Sequence, residues 1–269
     1  MLIETRAAAP FYKNGFVVGC DDTREAILID PGDEVSELLA IVEERRLTVR
    51  LILLTHAHMD HVSGVAQAKR ATGARVGVHR DDLFLYTAAV KQGLAFGYAL
   101  EEPPPPDFFL AEDAPHVFGN CEVRVHHTPG HSPGGVCLHA GRPGMGDTHL
   151  FVGDTLFAGS IGRTDLPGGD YETLIRSIRT VLFAFGDGAI VHPGHGPDTT
   201  IRRERETSGS SRQKSAAPAR PMVLTAPGIS RNESGRSASP SSARSIHMEL
   251  VPQPGRQRVQ HLRAHVLVL

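Results

Sequence analysis

The sequence predicts a layered α/β fold. Three observations predict it: short β-branched runs bounded by turn residues, helical spacing after several of them, and one apolar run too continuous to face water. The chain has 269 residues, 40% of them hydrophobic, enough to bury a sizeable core in one large domain or two small ones. Strand-like runs fall in two groups with helices after several of them, the pattern of packed layers.

Residues 15–19 and 26–29 read as strands, bounded by Asn, Gly and Asp. Residues 33–46 follow Pro31-Gly32 and carry Val35, Leu38, Leu39 and Val42 at spacings of three and four, a helix with Asp33 as its cap. Leu51-Ile52-Leu53-Leu54 suits a strand buried on both faces. Residues 62–71 then read as a helix stopping at Gly73, 75–78 as a strand and 80–90 as a helix. Pro103 to Pro106 exclude helix and central strand, so 101–107 form a surface connection. Residues 122–127, 135–139 and 149–152 read as further strands. The spacing of Leu174, Ile175, Ile178 and Leu182 predicts a helix over 171–183, and 188–191 close the series.

Charge divides the chain unevenly. Residues 1–200 hold 16 Lys+Arg against 26 Asp+Glu, a charge of −10, while 201–269 hold 12 against 4, a charge of +8. Every Phe and Tyr precedes residue 200. From Thr207 onward Ser, Arg, Ala, Pro and Gly dominate, too little apolar surface to offset ordering entropy. We therefore expect a domain over 1–206 and a basic, disordered, catalytically dispensable tail over 207–269. No run approaches the roughly 18 apolar residues of a bilayer span, and the first ten residues lack the apolar core of a secretory signal. Cys20, Cys121 and Cys137 stand far apart without CxxC spacing, read as three ordinary buried thiols in a reducing compartment. The expected location is cytoplasmic.

Directly behind the buried run comes Thr55-His56-Ala57-His58-Met59-Asp60-His61. His56 and His58 are two apart and face the same side of an extended stretch. Imidazoles with a carboxylate are the ligand set favoured by Zn²⁺ and Fe²⁺. Burying four such groups unpaired is costly, and a metal resolves the cost.

This string resembles the HxHxDH signature of the metallo-β-lactamase superfamily, and three further segments follow in that family's order. They are Thr128-Pro129-Gly130-His131-Ser132-Pro133-Gly134, Phe151-Val152-Gly153-Asp154-Thr155-Leu156-Phe157 and Val191-His192-Pro193-Gly194-His195-Gly196-Pro197. The resemblance covers residues 10–206 and implies a four-layer αββα sandwich with a two-metal centre. His56, His58 and His131 would hold one ion, Asp60, His61 and His195 the other, and Asp154 would touch both. The implied cofactors are two divalent ions, zinc first, with iron or a mixture as alternatives. His126 and His127 point to opposite faces of a strand, and they match no ligand position; nor do His79, His116, His139, His149 and His192.

Residues 153–165 look most like the glyoxalase II branch, in its short bacterial type without a helical glutathione-binding domain. Arg163 stands where that branch keeps a basic residue facing the carboxylate of the thiol carrier. The resemblance implies hydrolysis of a thioester such as lactoylglutathione to a hydroxy acid and a free thiol. Two ions sharing a water would lower its pKa, with Asp60 orienting the hydroxide. A thiol of pKa about 8.5–9 leaves as thiolate without a strong acid.

The rival reading is a mononuclear iron persulfide dioxygenase on the same scaffold, using His56, His131 and Asp154. The Leu166-Pro167-Gly168-Gly169-Asp170 continuation favours the hydrolase. A nuclease is disfavoured because the acidic domain repels a phosphate backbone, and β-lactam hydrolysis because of the expected compartment. The expected partner is a small-molecule thioester, with no nucleic acid and no membrane, for a monomer or small homo-oligomer. The chain departs from the family after Arg202-Arg203-Glu204-Arg205-Glu206-Thr207, where Ser208-Gly209-Ser210-Ser211 breaks the closing helix. A natural extension and a frameshift product both account for that break.

Overall fold

The computed structural model describes residues 1–113, 115–146 and 148–210. The tail expected from 207 onward lies outside the described residues, apart from the stretch that continues the last helix to Ser210.

The first sheet starts as a hairpin of β1 (Leu2–Ala8) and β2 (Lys13–Gly19), with Leu2 opposite Gly19 and Ala8 opposite Lys13. β3 (Glu25–Ile29) returns antiparallel to β2. Pairing then turns parallel, which requires crossovers, and helices supply them. α1 (Val35–Glu44) leads to β4 (Thr48–Leu53) beside β3. α2 (Met59–Val62) and α3 (Val65–Thr72) lead to β5 (Arg75–His79) beside β4. α4 (Leu83–Thr87) and α5 (Ala89–Ala95) precede β6 (Phe108–Leu110) at the edge.

The second sheet begins as an antiparallel meander of β7 (His116–Phe118), β8 (Cys121–His127), β9 (Val136–Gly141) and β10 (His149–Gly153). A small ribbon of β11 (Leu156–Phe157) and β12 (Ser160–Ile161) follows, then α6 (Tyr171–Thr180). β13 (Ile190–Pro193) inserts parallel to β10, and β14 (Thr199–Thr200) pairs with it ahead of α7 (Ile201–Ser210).

Side-chain alternation builds three cores from two sheets. Val17, Leu28 and Ile52 point from the first sheet toward Val35, Leu38 and Val65 of its helices. Their neighbours Val18, Ile27, Ile29 and Leu53 point the other way and meet Val123, Val125, Leu138 and Phe151 of the second sheet. Leu150, Val152 and Val191 complete the stack against Leu174, Ile178 and Ile201. The order is helix, sheet, sheet, helix, the αββα sandwich implied by the resemblance. Among the described residues no helix is long and apolar enough to cross a membrane.

Several local expectations are corrected. Asp33 does not cap α1: Glu34 takes the cap position without a side-chain bond. The Asp33 carboxylate instead accepts from Ser63 Oγ at 3.0 Å and Tyr98 OH at 2.7 Å. The helix expected over 62–71 starts only at Val65, because Val62 ends α2 and the chain breaks at Gly64, where a Cβ would stand 2.3 Å from the Gly32 carbonyl oxygen. The helix expected over 80–90 is a 3₁₀ turn, Arg80–Asp82, followed by α4 and α5. β1 was not expected at all; most of it is only half-buried, so no apolar alternation marks it.

Candidate metal centre

The four motifs occupy one end of the sandwich because each follows a strand. His56 and His58 lie in the turn after β4, and Asp60 and His61 on α2. His131 lies between β8 and β9, Asp154 just past β10 and His195 just past β13. All seven are buried, none more than 7% exposed.

His131 Nε2 stands 3.2 Å from His56 Nε2 and 2.8 Å from His58 Nδ1. Asp60 Oδ2 stands 3.2 Å from His195 Nε2 and 3.7 Å from His61 Nε2. Asp154 lies between the two groups. Its Oδ1 is 3.5 Å from His61 Nε2, and its Oδ2 is 3.6 Å from His131 Nε2 and 3.7 Å from His195 Nε2. Ligands held about 2.1 Å from a tetrahedral ion stand about 3.4 Å from one another, so the spacing suits metal coordination. Asp60 Oδ2, His61 Nε2, Asp154 Oδ1 and His195 Nε2 are buried without a hydrogen-bond partner. Buried polar atoms normally have partners, and cations would supply what these lack.

Electrostatics point the same way. Burial, aided by the neighbouring imidazoles, holds His56 well below the ordinary imidazole pKa and brings His58 down to about 3. Both are therefore neutral, the ligating form. Burial pushes the Asp60 carboxyl up, but His61 and His195 outweigh it and hold it low. For Asp154 burial is likewise outweighed, by His195 and then His61. Burial pulls His61 down, yet the Asp60 and Asp30 carboxylates raise it to about 10. The anionic half of the centre thus draws a positive charge.

Residues that the sequence reading passed over hold the ligands in place. Asp30, just past β3, accepts from Thr55 N at 2.7 Å, Thr55 Oγ1 at 2.6 Å and His61 Nδ1 at 2.9 Å. Lys13 Nζ donates to the Asp30 carbonyl and to Glu34 Oε1, fixing the main chain behind it. Asp82 is fully buried and accepts from Ala57 N at 3.0 Å, Ser132 Oγ at 2.8 Å and Gly134 N at 2.6 Å. It therefore ties the first motif to the second. Asn14 Nδ2 donates to the carbonyls of Pro193 and Gly196, bracketing His195. At Gly194 a Cβ would stand 2.2 Å from Asp154 Oδ1, so only glycine admits that carboxylate. Asp30 had a weak signal, a carboxylate ending a buried run before Pro31-Gly32. Asp82 and Asn14 had none.

Arg163 meets the centre through its main chain, its carbonyl accepting from His131 Nδ1 at 2.7 Å. Its guanidinium makes two 2.7 Å bonds to Asp165. His126 faces Phe185 and His139 on the helix side of the second sheet, away from the ligands. His127 donates from Nε2 to the Pro133 carbonyl at 2.9 Å, bracing the second motif. His192 pairs with His149 and Asp198.

Comparison with known proteins agrees with this geometry. Residues 8–195 match the family described as the metallo-beta-lactamase superfamily. The chain is 38% identical over 217 residues to hydroxyacylglutathione hydrolase GloC of Haemophilus influenzae, covering 80% of this chain and all of that one. It is similar to TTHA1623, solved in a di-iron-bound form: 40% identity, TM-score 0.66, covering 77% of this chain and 98% of that one. It is also similar to BLEG-1, a B3 metallo-beta-lactamase: 33% identity, TM-score 0.69, covering 76% and 97%.

Proposed function

The chain belongs to the metallo-beta-lactamase superfamily, whose members are metal-dependent hydrolases, and from that premise we propose that it is a thioester hydrolase of the glyoxalase II kind. The observation that carries the reading is the similarity of 80% of this chain to the whole of a hydroxyacylglutathione hydrolase, joined to a buried centre of seven candidate ligand side chains. His56, His58 and His131 would hold one divalent ion and Asp60, His61 and His195 the other, with Asp154 reaching both. Bound there, two ions supply an acidified water and an electrophile for the developing oxyanion.

The side chains do the rest. Asp60 presents Oδ2 within the second group, 3.2 Å from His195 Nε2, where it would take a proton of the attacking water and aim its lone pair. Burial of the ligands keeps bulk water from competing for them. The leaving thiolate needs no acid at its sulfur. Arg163 would meet the carboxylate of a thiol carrier, which must then take the place of Asp165 on the guanidinium. The substrate would be a small acyl-thiol and the compartment the cytoplasm, with no nucleic acid or membrane engaged.

Zinc-loaded and iron-loaded protein should release free thiol from lactoylglutathione faster than it opens a β-lactam ring. Neither form should take up oxygen with a persulfide. Oxygen uptake by protein holding a single iron would replace this reading with the dioxygenase, and faster ring opening would replace it with a β-lactamase.

A further inference from the structure

Two of the three cysteines meet. Cys20 follows β2 in the first sheet and Cys121 begins β8 in the second, and both side chains lie in the core between the sheets, near enough to influence one another's ionisation. The turn between β7 and β8 wraps the Cys20 sulfur. Asn120 N donates to it at 3.4 Å, and a Cβ at Gly119 would stand 3.0 Å from it. Both cysteines are buried, but Asp21, Asp22, Thr23, Arg24 and Asn120 around them are exposed, so water lies one layer away. Cys137 lies alone in the helix-side core of the second sheet.

The surroundings favour a thiolate at Cys20. Burial pushes that thiol up, but the Thr23 hydroxyl and the N–H groups of Asn120, Thr23 and Asp22 outweigh it and bring the pKa down to about 7. Cys121 stays protonated, raised by burial and by the Cys20 thiol despite the Arg142 guanidinium against it. One sulfur is thus activated and the other held beside it, the arrangement of an attacking and a resolving cysteine.

We propose that Cys20 and Cys121 are a redox pair, which a hydroperoxide oxidises to a disulfide joining the first sheet to the second. The Cys20 thiolate attacks a peroxide oxygen and the O–O bond breaks. Hydroxide leaves and a sulfenic acid forms on Cys20. The Cys121 sulfur then attacks the Cys20 sulfur, the S–O bond breaks, and the departing hydroxide takes the Cys121 proton. Two thiols lose two electrons in all, and one hydrogen peroxide becomes two waters.

The pair sits at the far end of both sheets from the metal centre. Gly19 lies opposite Ala26 while Phe16 lies opposite Ile29, so Cys20 and Asp30 end the sheet on opposite sides. Likewise β8 starts at Cys121 and reaches the second motif only past His127. Oxidation should therefore cross-link the sheets without disturbing the ligands.

The test treats the zinc-loaded full-length chain with hydrogen peroxide, unfolds it without reductant and labels thiols with iodoacetamide. Untreated chain should take three labels and oxidised chain one, on Cys137. A peptide pair joining Cys20 to Cys121 should appear and disappear on dithiothreitol. Cys137→Ser should fall from two labels to none. The rate of thioester hydrolysis, where present, should stay within two-fold. Three labels after treatment, or lost labels without that peptide pair, would overturn the proposal. Either result stands apart from the hydrolase reading, because labelling requires no turnover.

Discussion

The two halves of the metal centre are built on different electrostatic plans. His56, His58 and His131 form a half with no carboxylate of its own, neutral in that sense, and the far nitrogens of His56 and His131 rest against uncharged oxygens, Thr55 Oγ1 and the Arg163 carbonyl. The other half is anionic. It contains the Asp60 carboxylate, and its His61 is backed by a second carboxylate, Asp30. Outer partners of this kind fix the orientation of an imidazole, and a carboxylate also raises its basicity. In general an all-imidazole set suits zinc, copper, nickel or iron, and added carboxylates favour harder ions. Asp154 stands within 3.7 Å of imidazole nitrogens from both halves, so one side chain links them.

The largest effect should come from removing the shared residue. Asp154→Ala should lower metal content at both positions and reduce turnover by about 10³-fold or more, a loss of several kcal/mol of two-ion catalysis. Metal analysis beside a thiol-release assay checks it; one ion retained at full affinity would show that the halves are independent.

Asp82 and Asp30 separate the halves. Asp82→Ala leaves Ala57 N, Ser132 Oγ and Gly134 N without their acceptor in a buried place. It should cost about 3 kcal/mol of stability and loosen the neutral half first. Thermal unfolding with metal titration reads both. Asp30→Asn keeps the size but removes the charge behind His61. The ion of the anionic half should weaken by about 10–100-fold while the other holds. Competition with a chelator would show this as stepwise loss, and simultaneous loss would contradict the division.

The smallest effect belongs to His126→Ala. Its ring packs on Phe185 behind the second sheet, so metal content should not change and turnover should stay within about two-fold. A dead variant would mean that the ligand set has been misread.

What the sequence made legible follows from how far each feature depends on neighbours in the chain. HxHxDH places four candidate ligands within six residues, so their shared purpose can be read locally. Asp82 acts only when β5 carries it under two loops that are remote in sequence, and Asp81-Asp82 looks like any helix start. The helices around Gly64 and Ala88 read as single stretches because apolar periodicity continues across their breaks. The meeting of Cys20 and Cys121 needs the two sheets to be stacked. No spacing rule contains it.

The insertion of β13 beside β10 sets an order of assembly on the ribosome. All three imidazoles of the neutral half have been synthesised once His131 emerges, but the anionic half lacks His195 until much later. At about 5–20 residues per second, the intervening chain takes about 3–13 s to make. Until then Asp60 and His61, joined by Asp154 partway through the interval, lack their fourth neighbour, and the second sheet lacks its interior parallel strand. A nascent chain could therefore take its first ion during translation, and it completes the second site only as the sheet closes.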